Sequence, residues 1–458
     1  MSALVILGGG PAGLAVAFYA HRGGIPAVLY EKSVALGGLC QTFRWAGHCY
    51  DAGAHRFHDR DPEITGDVRA LLGDRLIAVN APSKIYDRGR FIDFPPTPIN
   101  LIVSSGVGQL GRIGIELMRR KNRGAVRGSF ADAAISRFGK TLARRYLLTY
   151  SEKVWGLPAD ELSADVATRR LNGMTMKSLL VELVTPSRKT AHIDGEFLYP
   201  RGGYGEIAAA LASQVPAAAL RREHEVTRVE CEAQRVKRIH FVGRAPVPVG
   251  GRVAAALPLS LLVRCLGDAL PTSARQAAAQ LRFRSIRLLW VRLAQASVSP
   301  NASIYLPDPE LCVSRVSEPK NRSRAMAPPD ETALVAEVPC FIGDDVQRLG
   351  DDDLARRVID ELGHIGLVSP AKVVEWRHHF LPFAYPVYAL DYSDRVRLIL
   401  EAVGSIENLD VLGRGGRFHY SHLHDQMRTA KRYVEQLNRE RTTFTGGTDV
   451  LVDDQEPA

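Results

Sequence analysis

The opening residues of the chain constrain it most. Ala3–Leu7 is a short apolar run that reads as a buried strand, and Gly8-Gly9-Gly10-Pro11-Ala12-Gly13 follows it directly. A helical stretch, Leu14–Arg22, and a second strand, Pro26–Tyr30, come next, ending at the acid Glu31. G-x-G-x-x-G between a strand and a helix, with an acid at the tip of the next strand, is the pattern of a dinucleotide-binding βαβ unit. Gly8 permits the tight turn, Gly10 lets backbone approach a pyrophosphate, and Gly13 lets the helix pack close to the strand. The helix N-terminus offers unpaired N–H groups to phosphate, and Glu31 offers a carboxylate to ribose hydroxyls.

At 458 residues the chain is long enough for one large or two interleaved domains. The formal net charge of +9 favours anionic partners, although a generally basic composition accounts for it equally well. The six cysteines (Cys40, Cys49, Cys231, Cys265, Cys312, Cys340) show no CxxC pair and no metal spacing, which suits a reducing, cytoplasmic setting. No run approaches the roughly 18 apolar residues of a spanning helix. G-x-S-x-G, H-E-x-x-H and Walker A patterns are absent, so the hydrolase, zincin and P-loop classes drop out. Adjacent His378 and His379 on a strand would face opposite ways and cannot easily share a metal ion.

Just past Glu31 lies a second glycine pair, in Leu36-Gly37-Gly38-Leu39-Cys40-Gln41-Thr42. The segment resembles the signature of the amine oxidase and protoporphyrinogen oxidase superfamily, and the resemblance implies FAD as cofactor. Beyond it the likeness narrows. Asp51-Ala52-Gly53-Ala54-His55-Arg56-Phe57-His58 resembles the histidine loop of UDP-galactopyranose mutases. Ser151-Glu152-Lys153-Val154-Trp155-Gly156, Tyr199-Pro200-Arg201-Gly202-Gly203 and Arg315-Val316-Ser317-Glu318-Pro319-Lys320 resemble further segments of that family, in family order. So do Tyr385-Pro386-Val387 and Gly413-Arg414-Gly415-Gly416-Arg417-Phe418-His419-Tyr420.

The resemblance implies an α/β fold: a Rossmann-type FAD-binding domain, with a parallel sheet and helices on both faces, interleaved with a mixed α+β substrate domain. FAD-binding pieces are expected at residues 1–75, 196–270 and 401–440. The substrate domain is expected at 76–195, mainly helical, and 271–400, mainly sheet. Residues 441–458 read as a disordered tail. Within these pieces Gln109–Arg120 has helical periodicity, Glu225–Val229 with Arg235–Val242 suggests a hairpin, and Val253–Leu257 reads as a buried strand. Arg287–Leu293 and Thr332–Glu337 look like strands as well.

By the same resemblance FAD is held by Gly8, Gly10, Gly13, Glu31, Gly37, Gly38, Gly413 and Arg414. Arg315, Tyr385 and Tyr420 contact a substrate diphosphate, and His55 and His58 sit by the flavin. The implied substrate is a small anionic molecule, a nucleotide-linked sugar or related glycosylated metabolite, acted on through flavin N5; no nucleic-acid partner is implied. Two departures stand out. His422 occupies the place of a family acid, and exposed to substrate it could accept a proton with a pKa near neutrality. The family's second diphosphate arginine has no clear counterpart, Arg169, Arg170 and Arg188 being options by region only. The alternative is an oxidase or dehydrogenase of the amine oxidase or protoporphyrinogen oxidase type, with hydride transfer to flavin. The basic stretch Arg112–Arg127 fits peripheral contact with anionic lipid less well than a solvated helix end.

Overall fold

The computed structural model describes residues 3–94, 108, 111–113, 115–116, 128–166 and 196–445. Its centre is a five-stranded parallel sheet in the order Leu409–Val411, Val253–Ala255, Leu4–Leu7, Ala27–Tyr30, Leu220–Arg221. Strand Leu4–Leu7 is buried throughout, and its residues alternate between two cores. Leu4 and Ile6 join helices Pro11–Arg22, Gly205–Ser213 and Leu423–Thr445 on one face. Val5 and Leu7 join helix Leu259–Leu266 and the antiparallel sheet Val226–Glu232, Arg235–Phe241, Arg244–Pro248 on the other. That alternation is what a strand covered on both faces requires.

A seven-stranded sheet stands beside it, in the order Val373–Pro386, Phe283–Leu293, Thr332–Cys340, Arg315–Ser317, Ser303–Tyr305, Ser83–Asp87, Arg90–Phe94. All its pairings are antiparallel except Ser303–Tyr305 with Ser83–Asp87. Helices Phe130–Phe138 and Thr149–Trp155 flank the space between the two sheets.

The hairpin forms, from Val226–Glu232 and Arg235–Phe241. Strand Phe283–Leu293 begins four residues before the expected Arg287, because polar Arg284 and Ser285 hide the strand in an apolar scan. Arg284 is buried with Nε on the Val154 carbonyl (3.2 Å) and Nη2 on the Pro339 carbonyl (3.2 Å). The last helix runs to Thr445, past the point where disorder was expected to begin. Its Arg428 and Lys431 pair with Asp61, Glu63 and Asp67 on and beside helix Pro62–Leu72, which ties down its first half. Most of Gln109–Arg120, and Arg119 through Arg127 of the basic stretch, lie outside the described residues, as do Arg169, Arg170 and Arg188. Among the described residues no helix is long and apolar enough to cross a membrane.

Candidate active site

A cavity of about 1080 Å³ opens at the carboxyl ends of the parallel strands, where Gly8, Glu31, Ala256 and Gly413 leave the sheet, and it continues to the face of the large sheet. Open α/β sheets bind ligands at this edge. The volume sits at the top of the range of small-molecule sites, enough for a cofactor with a substrate beside it.

The glycine turn forms one end. Helix Pro11–Arg22 starts from Gly10, with proline at its first position and no side chain capping its N–H groups. A Cβ on Gly10 would meet no protein atom within 4 Å, so the backbone there is bare to the cavity. Gly13 is the opposite case, because a Cβ would lie 1.9 Å from the Gly8 carbonyl oxygen. Glu31 accepts from the Gly9 N–H (2.6 Å) and the Ser33 N–H (2.9 Å), which holds its carboxylate beside the turn. The second glycine pair closes over the first. Gly37 N–H donates to the Gly9 carbonyl (2.8 Å), and a Cβ on Gly38 would stand 3.1 Å from Gly10 Cα. Bare backbone, an uncapped helix start and an acid at the strand tip fit the pyrophosphate and ribose of a dinucleotide.

The other end is built on the large sheet. Arg315 and Glu337 lie directly opposite on neighbouring strands. Arg315 donates from Nε (3.0 Å) and Nη2 (2.7 and 2.8 Å) to that carboxylate, leaving Nη1 without a bonded partner among the described residues. Burial works against the Arg315 charge, but Glu337 outweighs it and holds the guanidinium protonated. The Arg414 guanidinium lies over the rings of Tyr385 (4.9 Å) and Tyr420 (4.3 Å), which are near-parallel at 6.5 Å, and Nη2 bonds the Ala384 carbonyl at 3.0 Å. Tyr150 and Tyr305 meet edge to face at 5.6 Å on the same wall. Only the arginine of the Arg315–Lys320 segment reaches the cavity. Glu318 accepts from Val298 N–H, Ser299 N–H and the Thr332 hydroxyl, while Lys320 Nζ lies within 2.9 Å of the Ala296, Pro328, Pro329 and Glu331 carbonyls.

The histidines fall in two places. His55 stacks on Tyr204 (4.8 Å, 21°), and burial with the Arg315 charge lowers its pKa to about 3. His58 meets the His422 ring edge to face at 5.8 Å, and His422 stacks on His424 at 5.5 Å. Burial pulls His58 to about 3, and burial with His424 pulls His422 to about 4. The expected near-neutral pKa for His422 is therefore corrected, since a half-buried imidazole beside other imidazoles and Arg60 resists a proton. His378 turns to Asp351 and Arg287, and His379 stacks on Trp290 at 5.6 Å. No metal-binding cluster of His, Cys, Asp or Glu occurs among the described residues.

Sequence reasoning missed Glu337, His424 and Tyr305. Glu337 left a signal, being one acid inside the apolar run Thr332–Cys340, where burial demands a partner.

Fold and site together define an FAD-binding flavoenzyme. The chain belongs to the flavin-containing amine oxidoreductase family, whose model matches residues 11–406. Among solved structures it is similar to a reduced UDP-galactopyranose mutase, at 19% identity over 95% of each chain with a TM-score of 0.82. It is also similar to a protein of Exiguobacterium sp. 255-15 named provisionally as a protoporphyrinogen oxidase (21% identity, 96% and 99% covered, TM-score 0.77). Cyclohexylamine oxidase from Brevibacterium oxydans IH-35A shares the fold at 15% identity (96% and 99% covered, TM-score 0.66).

Proposed function

We propose that this flavoenzyme acts on a nucleotide-linked sugar or a related glycosylated metabolite bound at the tyrosine-lined end of the cavity. The reading rests on one observation, the convergence of Arg315, Tyr385 and Tyr420 on a single wall with Tyr150 and Tyr305 beside them. A guanidinium ringed by phenol hydroxyls suits a diphosphate, through charge-assisted bonds from Arg315 Nη1 and neutral ones from the tyrosines. An aminium substrate would meet the Arg414 guanidinium there, cation against cation. Bound FAD supplies a ring nitrogen that, in the enzymes this chain resembles, either bonds a sugar carbon or accepts hydride. The chain's own residues hold the anion, surround the sugar with hydroxyls, and present His55, His58 and His422 as neutral imidazoles.

The Arg315–Glu337 pair favours a second reading, net oxidation of a substrate without a diphosphate, because Glu337 already neutralises the arginine. Titrating the oxidised holoprotein with UDP while following flavin absorbance separates the two. Saturable perturbation, weakened in Tyr385→Phe and Tyr420→Phe, supports the nucleotide reading. An unmoved spectrum, with anaerobic bleaching by an uncharged or amine substrate, moves the function to oxidation.

A further inference from the structure

Three segments that read as separate family motifs meet at one buried side chain. Asp51 closes strand His48–Asp51 and is 3% exposed. Its Oδ1 accepts from the Thr42 hydroxyl (2.6 Å) and the Tyr204 N–H (3.0 Å), and its Oδ2 accepts from the Tyr199 hydroxyl. Thr42 Oγ1 in turn accepts from the Gly205 N–H at 2.7 Å. No lysine or arginine bonds Asp51 among the described residues, so the carboxylate is compensated by these donors and, through space, by the buried Arg322 charge. Burial pushes its pKa up, and the Thr42 and Tyr199 hydroxyls pull it back.

A buried carboxylate of this kind is often no more than a knot in a core. Here each strand of the knot continues into the cavity wall. Thr42 follows Gln41, which lines the cavity; Asp51 precedes Gly53 and His55, which line it too; and Tyr204 lines it directly. The Tyr204 ring carries His55 stacked upon it. The packing is tight, since a Cβ on Gly203 or Gly205 would stand 2.4 or 2.5 Å from Thr42 atoms. Neither Thr42 nor Asp51 offers an atom of its own to a ligand, and both act through the segments they join.

We propose that Asp51 is a positioning residue for FAD: its carboxylate sets the Gly37–Thr42, Ala52–His55 and Tyr199–Gly205 segments against one another and thereby fixes the wall that meets the cofactor. The experiment reconstitutes apoprotein with FAD and measures the dissociation constant and the visible absorption bands. Variants are Thr42→Val and Tyr199→Phe, each removing one hydroxyl at nearly constant volume, with Asp51→Asn and the rescue variant Thr42→Ser. Losing one bond to a charged acceptor should raise the FAD dissociation constant about tenfold or more and displace the flavin bands, and Thr42→Ser should restore both. Wild-type affinity and bands in Thr42→Val and Tyr199→Phe, with only a lower melting temperature, would overturn the proposal and leave Asp51 as a core knot. If Asp51→Asn does not fold, the two hydroxyl variants decide the matter alone.

Discussion

Arg315 and Glu337 face each other across adjacent strands, joined by three hydrogen bonds of 2.7 to 3.0 Å in the wall of the cavity. The pair has two consequences that a single substitution mixes. Arg315→Ala strands a buried carboxylate, so a stability loss of about 3–5 kcal/mol is expected alongside any loss of anion binding. The double variant Arg315→Met, Glu337→Leu should regain most of that stability without regaining UDP affinity. Urea denaturation and UDP titration of both variants separate the effects, and UDP affinity recovered by the double variant would remove Arg315 from the substrate site.

The glycine turn predicts opposite behaviour for two neighbouring positions. Gly10→Ala places a methyl in open cavity and should leave the fold intact while weakening FAD binding. Gly13→Ala forces the helix off Gly8 and should lower the melting temperature of the apoprotein itself. Melting curves of both apoproteins check this, and equal melting temperatures would contradict it.

Acid sensitivity follows from the imidazoles. His55 and His58 titrate at about 3 and His422 at about 4 in the fold, against about 6.5 when unfolded. Between those limits the unfolded chain binds more protons, so stability is full above about pH 6.5 and falls as pH drops toward the folded values. Each imidazole adds a slope of at most about 1.4 kcal/mol per pH unit. The urea midpoint should decline between about pH 6.5 and about pH 5, less so in His422→Gln. A flat midpoint across that window would show that these rings take up protons in place.

Lys153 ties the tyrosine-lined wall together. Its ammonium donates to the Leu306 (2.8 Å) and Asp308 (2.7 Å) carbonyls, and burial lowers its pKa to about 8. Those carbonyls follow Tyr305, and Tyr150 lies on the lysine's own helix. Lys153→Met should loosen the Tyr150–Tyr305 contact, weakening UDP binding about tenfold with FAD affinity unchanged. Equal losses of both ligands would show general unfolding instead.

What the sequence disclosed depends on how local each feature is. The strand, turn and helix from Leu4 to Arg22 write their geometry into neighbouring residues, so the cofactor end was readable from glycine spacing. The partner of Arg315 lies 22 residues away on another strand, and no spacing rule announces a register. The state of His422 was misread for a related reason, since its pKa is set by burial and by His424 and Arg60 around it. Asp51 went unremarked because its three donors arrive from segments up to 153 residues distant.

Nucleotide-sugar chemistry is tested by anaerobic incubation of dithionite-reduced holoprotein with UDP-galactofuranose and, separately, UDP-galactopyranose, read by anion-exchange chromatography. Interconversion is expected, disappearing when the flavin is left oxidised and falling in Tyr385→Phe and Tyr420→Phe. No interconversion, with flavin absorbance also indifferent to UDP, would contradict it and turn the tyrosine wall over to a different metabolite and to net oxidation.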